Sequence, residues 1–209
     1  IDYKYALKDV NLLINKGEKV AIIGNNGSGK TTLLKIISRI TFPSSGYVGI
    51  AGKIGSLLNA RTGFHDELNA VENIFLYGSM LGFDQKTIRS RVKKIIKFSE
   101  LNESEILTPV KKYSTGMIIK LGISVLLNFK LDILLIDEIF ANLDKKFKMK
   151  TLKKIKEKAN FENITLFCVS HQQNTLIDLC NRGILLNNGI VVKDSELNHV
   201  LNSYNKEND

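Results

Sequence analysis

An α/β fold is predicted for this chain by three observations. A short apolar run, Val20-Ala21-Ile22-Ile23, leads through a glycine-rich loop into a segment with helical spacing. A second apolar run, Ile133 to Ile136, ends in two carboxylates, Asp137 and Glu138. A mostly helical stretch separates the two, and strand-like and helix-like segments alternate again after the second. The 209 residues suffice for one sizeable α/β domain, or for a core with a small subdomain.

The elements follow in order. Leu7 to Ile14 and Val20 to Ile23 read as strands joined at Asn15-Lys16-Gly17-Glu18. A helix is expected from Thr31 to Ile40, because Leu33, Leu34, Ile36 and Ile37 recur at helical spacing. Pro43-Ser44-Ser45-Gly46 signals a turn, and Tyr47 to Ile50 and Ile54 to Leu58 read as short strands. Val71 to Leu81 and Gln85 to Phe98 read as helices. The second has Asp84 as its cap and Ile88, Val92, Ile95 and Ile96 as its apolar stripe. A third helix spans Ser114 to Leu127. Then come a strand at Ile133 to Ile136, a helix at Lys145 to Lys158, a buried strand at Thr165 to Val169 and a helix at Thr175 to Cys180. Asn187-Asn188-Gly189, flanked by Ile184-Leu185-Leu186 and Ile190-Val191-Val192, is a hairpin signal. The α/β core is thus interrupted by a helical insert covering about residues 60–129.

Bulk composition narrows the function classes. No apolar run reaches membrane-spanning length, since Lys120 interrupts the longest candidate, Ile118 to Phe129. Ile1-Asp2-Tyr3-Lys4 carries no signal-peptide pattern. Cys168 and Cys180 fall in an expected strand and helix, where they read as small buried hydrophobes and suit a reducing cytosol. The net charge of +9 raises the question of nucleic acid. However, the densest basic run, Lys145 to Lys158, is interleaved with Phe147, Met149, Leu152 and Ile155 at helical spacing. It reads as a helix with a solvated basic face, and nucleic acid is not expected as a partner. A bias toward an anionic membrane face is a third reading.

The segment Gly24-Asn25-Asn26-Gly27-Ser28-Gly29-Lys30-Thr31, followed by Thr32, is a phosphate-binding loop in the strand–loop–helix context that such a loop requires. Its glycines let successive N–H groups turn inward toward phosphate oxygens, and the helix N-terminus adds a field that favours anions. Lys30 supplies charge to β- and γ-phosphates, and the Thr31 hydroxyl is a ligand for Mg²⁺. Asp137, at the end of its strand, would hold the same Mg²⁺ through water, and Glu138 would orient or deprotonate the attacking water. Val169-Ser170-His171 ends the next strand. A lone histidine is more often a packed or surface residue. This one falls at the sheet edge of Asp137, where open parallel sheets place ligands, and could hydrogen-bond a γ-phosphate. Ser114 caps a helix whose Gly116 leaves backbone amides uncovered, a second anion-binding terminus; alone, that segment reads as an ordinary capped helix.

The order of these parts resembles the nucleotide-binding subunit of ABC transporters, and the resemblance covers essentially the whole chain. Gly24 to Thr31 matches the Walker A loop, Ile133 to Glu138 the Walker B strand, Asn142-Leu143-Asp144 the D-loop and His171 the switch histidine. Ser114-Thr115-Gly116-Met117 resembles the signature sequence, with Thr115 in place of a Gly and Met117 in place of a Gln. That variant, with Lys120-Leu121-Gly122, Thr62-Gly63-Phe64-His65, Glu67-Leu68 and Glu72-Asn73, resembles the branch that exports O-antigen, capsule or teichoic acid.

The resemblance implies a phosphate-loop NTPase core of ABC type, with a mostly helical subdomain inserted and a small antiparallel β part. It implies ATP and Mg²⁺ as ligands, with Glu138 and His171 catalytic. It also implies a second copy of the chain in an ATP-sandwich dimer, in which Ser114 and Gly116 serve the partner's nucleotide, and it makes Asp144 of the D-loop a further nucleotide-binding residue. Integral membrane permease subunits, a lipid-linked polysaccharide as transported substrate, and a peripheral place on the cytoplasmic face of the membrane follow in the same way. The family carries a Gln soon after the strand at Ile54 to Leu58; no Gln occurs between Lys30 and Gln85, and Asn59 is the nearest amide. Tyr5 or Tyr3 is the candidate to stack on adenine. The chain ends shortly after His171 and one hairpin, so no C-terminal carbohydrate-binding domain is expected. The rival readings are a non-transport ABC ATPase acting on nucleic acid or ribosomes, and a small phosphate-loop kinase.

Overall fold

A computed structural model describes residues 5–58, 63–138, 140 and 143–208. Six strands form one sheet, in the order β2-β3-β4-β1-β5-β6. They are β1 (Lys19–Ile23), β2 (Ile54–Leu57), β3 (Ile133–Asp137), β4 (Thr165–Val169), β5 (Arg182–Asn187) and β6 (Ile190–Glu196). The first five are mutually parallel, and β6 pairs antiparallel with β5. The small antiparallel part of the fold is this β5–β6 hairpin.

The central strands are buried on both faces, which explains why they read as continuous apolar runs. Successive side chains point to opposite faces. Ala21, Ile23, Leu134, Ile136, Leu166, Cys168 and Leu185 enter one core, beneath most of the helices. Val20, Ile22, Leu135, Phe167, Val169, Ile184 and Leu186 enter the other, against helix α1 (Lys30–Ile37).

Between β2 and β3 the chain forms α2 (Ala70–Met80), α3 (Gln85–Ser99), α4 (Glu103–Leu107), a 3₁₀ turn at Val110–Lys112 and α5 (Thr115–Asn128). Polar side chains start these helices by taking up orphan amides. Asn69 and Glu72 close a reciprocal capping box on α2, Asp84 accepts from Thr87 N on α3, and Asn102 and Glu105 form a second box on α4. The remaining helices are α6 (Lys145–Phe161), α7 (Gln173–Leu179) and α8 (Leu197–Asn208).

Two expected strands are not formed. Leu7 to Ile14 makes no ladder; Asp9 takes a left-handed φ of 51°, which breaks the extended run. Its Leu7, Val10, Leu12 and Ile14 still pack onto the core on the α1 side, so the alternation reflects burial without pairing. Residues 47–50 also carry no strand: Tyr47 is 93% exposed and Val48 48% exposed, and the packing of Ile50 alone on the core is too little to fix a register. Helix α8 is an addition to the expected elements, packing Leu197, Val200 and Leu201 into the core.

Register brings the chemistry to one edge. Asp137 pairs with Val169, and Ala21 with Cys168, so β1, β3 and β4 end nearly level. The loops that follow them carry the phosphate loop, Asp137-Glu138 and Ser170-His171, at the carboxyl edge where open α/β sheets bind ligands.

Candidate functional site

The loop from Gly24 to Lys30 has the backbone that its glycines foretell. Gly27 and Gly29 lie at φ 78° and 105°. A Cβ at Gly24 would come 2.2 Å from the Leu186 carbonyl oxygen, and one at Gly29 would come 2.6 Å from that of Ala6. Those positions are glycine because β5 and the 5–7 segment press on the loop from two sides. Lys30 is 9% exposed and folds back over the loop, donating to the carbonyl oxygens of Gly24 at 2.7 Å and Asn25 at 2.9 Å. Burial lowers its pKa, and the nearby Glu138 and Asp137 charges oppose that shift. Its ammonium is thus held in place ahead of any phosphate.

Thr31 Oγ1 donates to Asp137 Oδ2 at 3.5 Å. Burial raises the Asp137 pKa, helped by the Glu138 charge, and Lys30, Thr31 and His171 pull it back. A buried carboxylate with a like charge beside it is a group that gains from a cation. The facing Thr31 and Asp137 oxygens fit Mg²⁺, which takes hard oxygen ligands and keeps several waters. Among the described residues no cluster of three or more His, Cys, Asp or Glu stands ready as a closed metal cage.

Glu138 adopts a left-handed φ of 49°, and its backbone N–H donates to Val169 O at 3.1 Å. This turn aims its side chain at the end of β4, where Oε1 lies 2.8 Å from His171 Nε2. A carboxylate only accepts, so that nitrogen carries the hydrogen.

These groups surround one open cleft of about 550 Å³, lined by Ala6, Asn26, Gly27, Gly29, Lys30, Thr31, Thr32, Leu58, Asp137, Glu138 and His171. Tyr5 stands beside Ala6 with its ring 68% exposed. Ser28 is 4% exposed, and its Oγ has no hydrogen-bond partner among the described residues. Asn59, Tyr3 and Asn142 lie outside the described residues.

Ser114, Gly116 and Asp144 do not line this cleft. Ser114 caps α5, its Oγ accepting from Met117 N at 3.2 Å on an exposed helix start. Asp144 caps α6, accepting from Phe147 N at 2.9 Å, and pairs with Lys120 of α5 at 2.5 Å. The Lys120 contact holds its carboxyl below the usual range.

Two structural roles were not assigned from the sequence. Asn73 is fully buried; its Oδ1 accepts from His65 N at 2.7 Å, and its Nδ2 faces the carbonyl oxygens of His65, Leu68 and Asn69 at 3.1, 2.9 and 3.0 Å. It knots the loop that precedes α2. Leu68 O and Asp66 O in turn accept from Val110 N and Lys111 N, just before Ser114, at 2.9 Å each. The second feature is Tyr204 of α8, whose hydroxyl lies 3.0 Å from Asn25 Oδ1. The apolar spacing Leu197, Val200, Leu201, Tyr204 was its readable signal.

Known proteins share this arrangement. The ABC transporter family profile matches residues 7–141. The ABC transporter protein AbcA of Aeromonas salmonicida is 36% identical over 96% of this chain and 65% of its own length. The O-antigen export system ATP-binding protein RfbB of Klebsiella pneumoniae is 39% identical over 88% of this chain and 74% of its own. The teichoic acids export ATP-binding protein TagH of Staphylococcus epidermidis is 38% identical over 96% of this chain and 75% of its own. The chain thus spans roughly two thirds to three quarters of the length of these relatives. A dimeric, post-hydrolysis ATP-binding cassette bound to ADP and Pi superposes with a TM-score of 0.78 at 28% identity, over 92% of this chain and 91% of the other. The glycine loop, the paired carboxylates and the histidine at the ends of adjacent parallel strands, and these likenesses over most of the chain, agree: the chain belongs to the ABC transporter family, as an ATP-binding cassette.

Proposed function

We propose that this chain is the ATP-hydrolysing subunit of an exporter that moves a cell-surface polysaccharide, such as O-antigen, capsule or teichoic acid, through a membrane permease. The observation that carries the ATPase part is the convergence of Lys30, Thr31, Asp137, Glu138 and His171 on one cleft. The names of the Klebsiella and Staphylococcus relatives, with the Ser114-Thr115-Gly116-Met117 variant, support the polysaccharide branch.

The residues divide the work. The loop amides from Gly24 to Gly29 and the Lys30 ammonium bind the phosphates, with Thr32 beside them. Thr31 and Asp137 would hold Mg²⁺, which would supply charge neutralisation to the bound phosphates. Glu138 orients the attacking water and takes its proton. The His171 N–H, which faces Glu138, would turn to the γ-phosphate. Tyr5 supports adenine at the open mouth. Catalysis is by positioning and charge, with no covalent protein intermediate.

Ser114, Gly116 and Asp144 serve the nucleotide of a second copy, which accounts for their place outside this chain's own cleft. The helical insert of about residues 60–129, with Asn59 at its start, faces the permease on the cytoplasmic side of the membrane, and a lipid-linked glycan is the cargo. Among the described residues no helix is long and apolar enough to cross a membrane. Deleting the gene and restoring it as wild type or as Glu138→Gln tests the reading. The wild type should restore one surface glycan, and the variant should leave it accumulated inside the cell. Unchanged surface glycans in the deletion would reject the polysaccharide reading.

A further inference from the structure

The C-terminal half of α8 reaches both the phosphate loop and the start of α7. The Tyr204 hydroxyl donates to Asn25 Oδ1 at 3.0 Å, and the next residue, Asn205, accepts from Gln173 Nε2 through its Oδ1 at 2.7 Å. Asn25 is the second residue of the phosphate loop, and its carbonyl oxygen holds Lys30 Nζ at 2.9 Å. Gln173 opens α7, two residues after His171. One helical turn therefore contacts the loop that grips phosphate and the turn that presents the histidine.

The helix is a firm support for such contacts. A Cβ at Gly183 would come 2.9 Å from Val200 Cβ, so β5 and α8 meet without a spacer. Lys193 reaches from β6 to His199 O at 3.2 Å and Ser203 Oγ at 2.7 Å, one residue before Tyr204. Between helix and cleft lies a small cavity of about 50 Å³, bordered by Gly24, Lys30, Glu138, His171, Leu201 and Tyr204. Helix α8 thus borders the rear of the cleft, and Tyr204 and Asn205 make polar contacts that cross from it.

We propose that Tyr204 and Asn205 are positioning residues for ATP hydrolysis, bracing the phosphate loop and the His171 turn respectively from the C-terminal helix. The inference rests on the ATPase reading above. A loop held in its binding shape before the ligand arrives loses less freedom on binding. The Tyr204 arm acts on Asn25 and so on ATP affinity. The Asn205 arm acts on the turn that carries His171, and so on the hydrolytic step.

The test measures ATP affinity by calorimetry, together with steady-state ATPase kinetics and thermal stability, on the full chain. Tyr204→Phe should weaken ATP binding by about threefold, the scale of one neutral hydrogen bond, with kcat kept. The same change made in an Asn25→Ala background should cost less than it does in the wild type. Asn205→Ala should lower kcat by about two- to threefold with affinity kept. Asn205→Asp should restore kcat, since only an acceptor is needed there. Wild-type affinity and kcat in both variants would overturn the brace. Parallel losses of affinity and kcat that track a fall in Tm would also overturn it, leaving α8 as a stabiliser of the fold. A wild-type chain that binds no ATP would instead bring down the ATPase reading itself.

Discussion

His171 Nε2 lies 2.8 Å from Glu138 Oε1, joining the ends of β4 and β3 across the mouth of the cleft. Each is the partner of the other in this structure. To serve hydrolysis, the carboxylate must turn to water and the N–H to phosphate. Glu138→Gln should therefore leave ATP binding intact while hydrolysis falls by about a hundredfold or more, because an amide cannot take the proton. The ATP-bound form should accumulate as a dimer on size exclusion. Hydrolysis at the parent rate would remove Glu138 from the base role. His171→Ala should slow hydrolysis with a smaller effect on affinity.

Lys30→Ala should weaken ATP binding by about ten- to a hundredfold, the scale of charge-assisted hydrogen bonds lost from a buried site. Calorimetry reads this directly. An unchanged affinity would mean that phosphate is gripped elsewhere.

Asp137 gives a prediction for the nucleotide-free protein. Burial and the Glu138 charge raise its pKa, so folding favours the protonated form. The stability it contributes is complete below the ordinary carboxylate range and is lost as pH rises through the raised value. Above that raised value the native state holds an ionised, partly buried carboxylate and carries the penalty. Asp137→Asn should then raise the Tm of the nucleotide-free chain by about 2–4 °C at pH 7. That gain should shrink on acidification, as wild-type Asp137 takes up its proton. A gain that persists unchanged at low pH would contradict the burial argument.

Asn73 is fully buried and holds the loop before α2 through one accepted hydrogen bond and two amide hydrogens shared among three carbonyl oxygens. Asn73→Leu should cost about 3 kcal/mol, because the amide and carbonyl groups of that loop would be left without partners. Chemical denaturation measures it. A loss under about 1 kcal/mol would mean that the loop rearranges to reach water.

Much of this was legible in the sequence, for identifiable reasons. The central strands are buried on both faces and announce themselves as apolar runs, and the glycine loop is confined by Leu186 and Ala6 to a residue without a side chain. Helix α6 outran its expected end at Lys158 because Ala159 is buried beyond it. Leu7 to Ile14 misled because packing against one face gives the same alternation as a strand, and a left-handed Asp9 leaves no trace in the pattern. Helix α4 was missed although Asn102 and Glu105 spell a capping box, since five residues are too few to show a period. The contacts of Asn73 and Tyr204 were not readable for another reason: each acts through a partner whose position only the fold supplies.

The central claim is that this chain is half of a two-site engine, with Ser114 serving a nucleotide held by Lys30 of another copy. ATPase activity in a mixture of Ser114→Arg and Lys30→Ala subunits tests it most directly. Each variant alone should be inactive, because every composite site then carries a lesion. In a mixed dimer both lesions fall in one site and the other is whole, so the account predicts that activity returns on mixing. Full activity of Ser114→Arg alone, or no recovery in a mixture shown to contain mixed dimers, would contradict it.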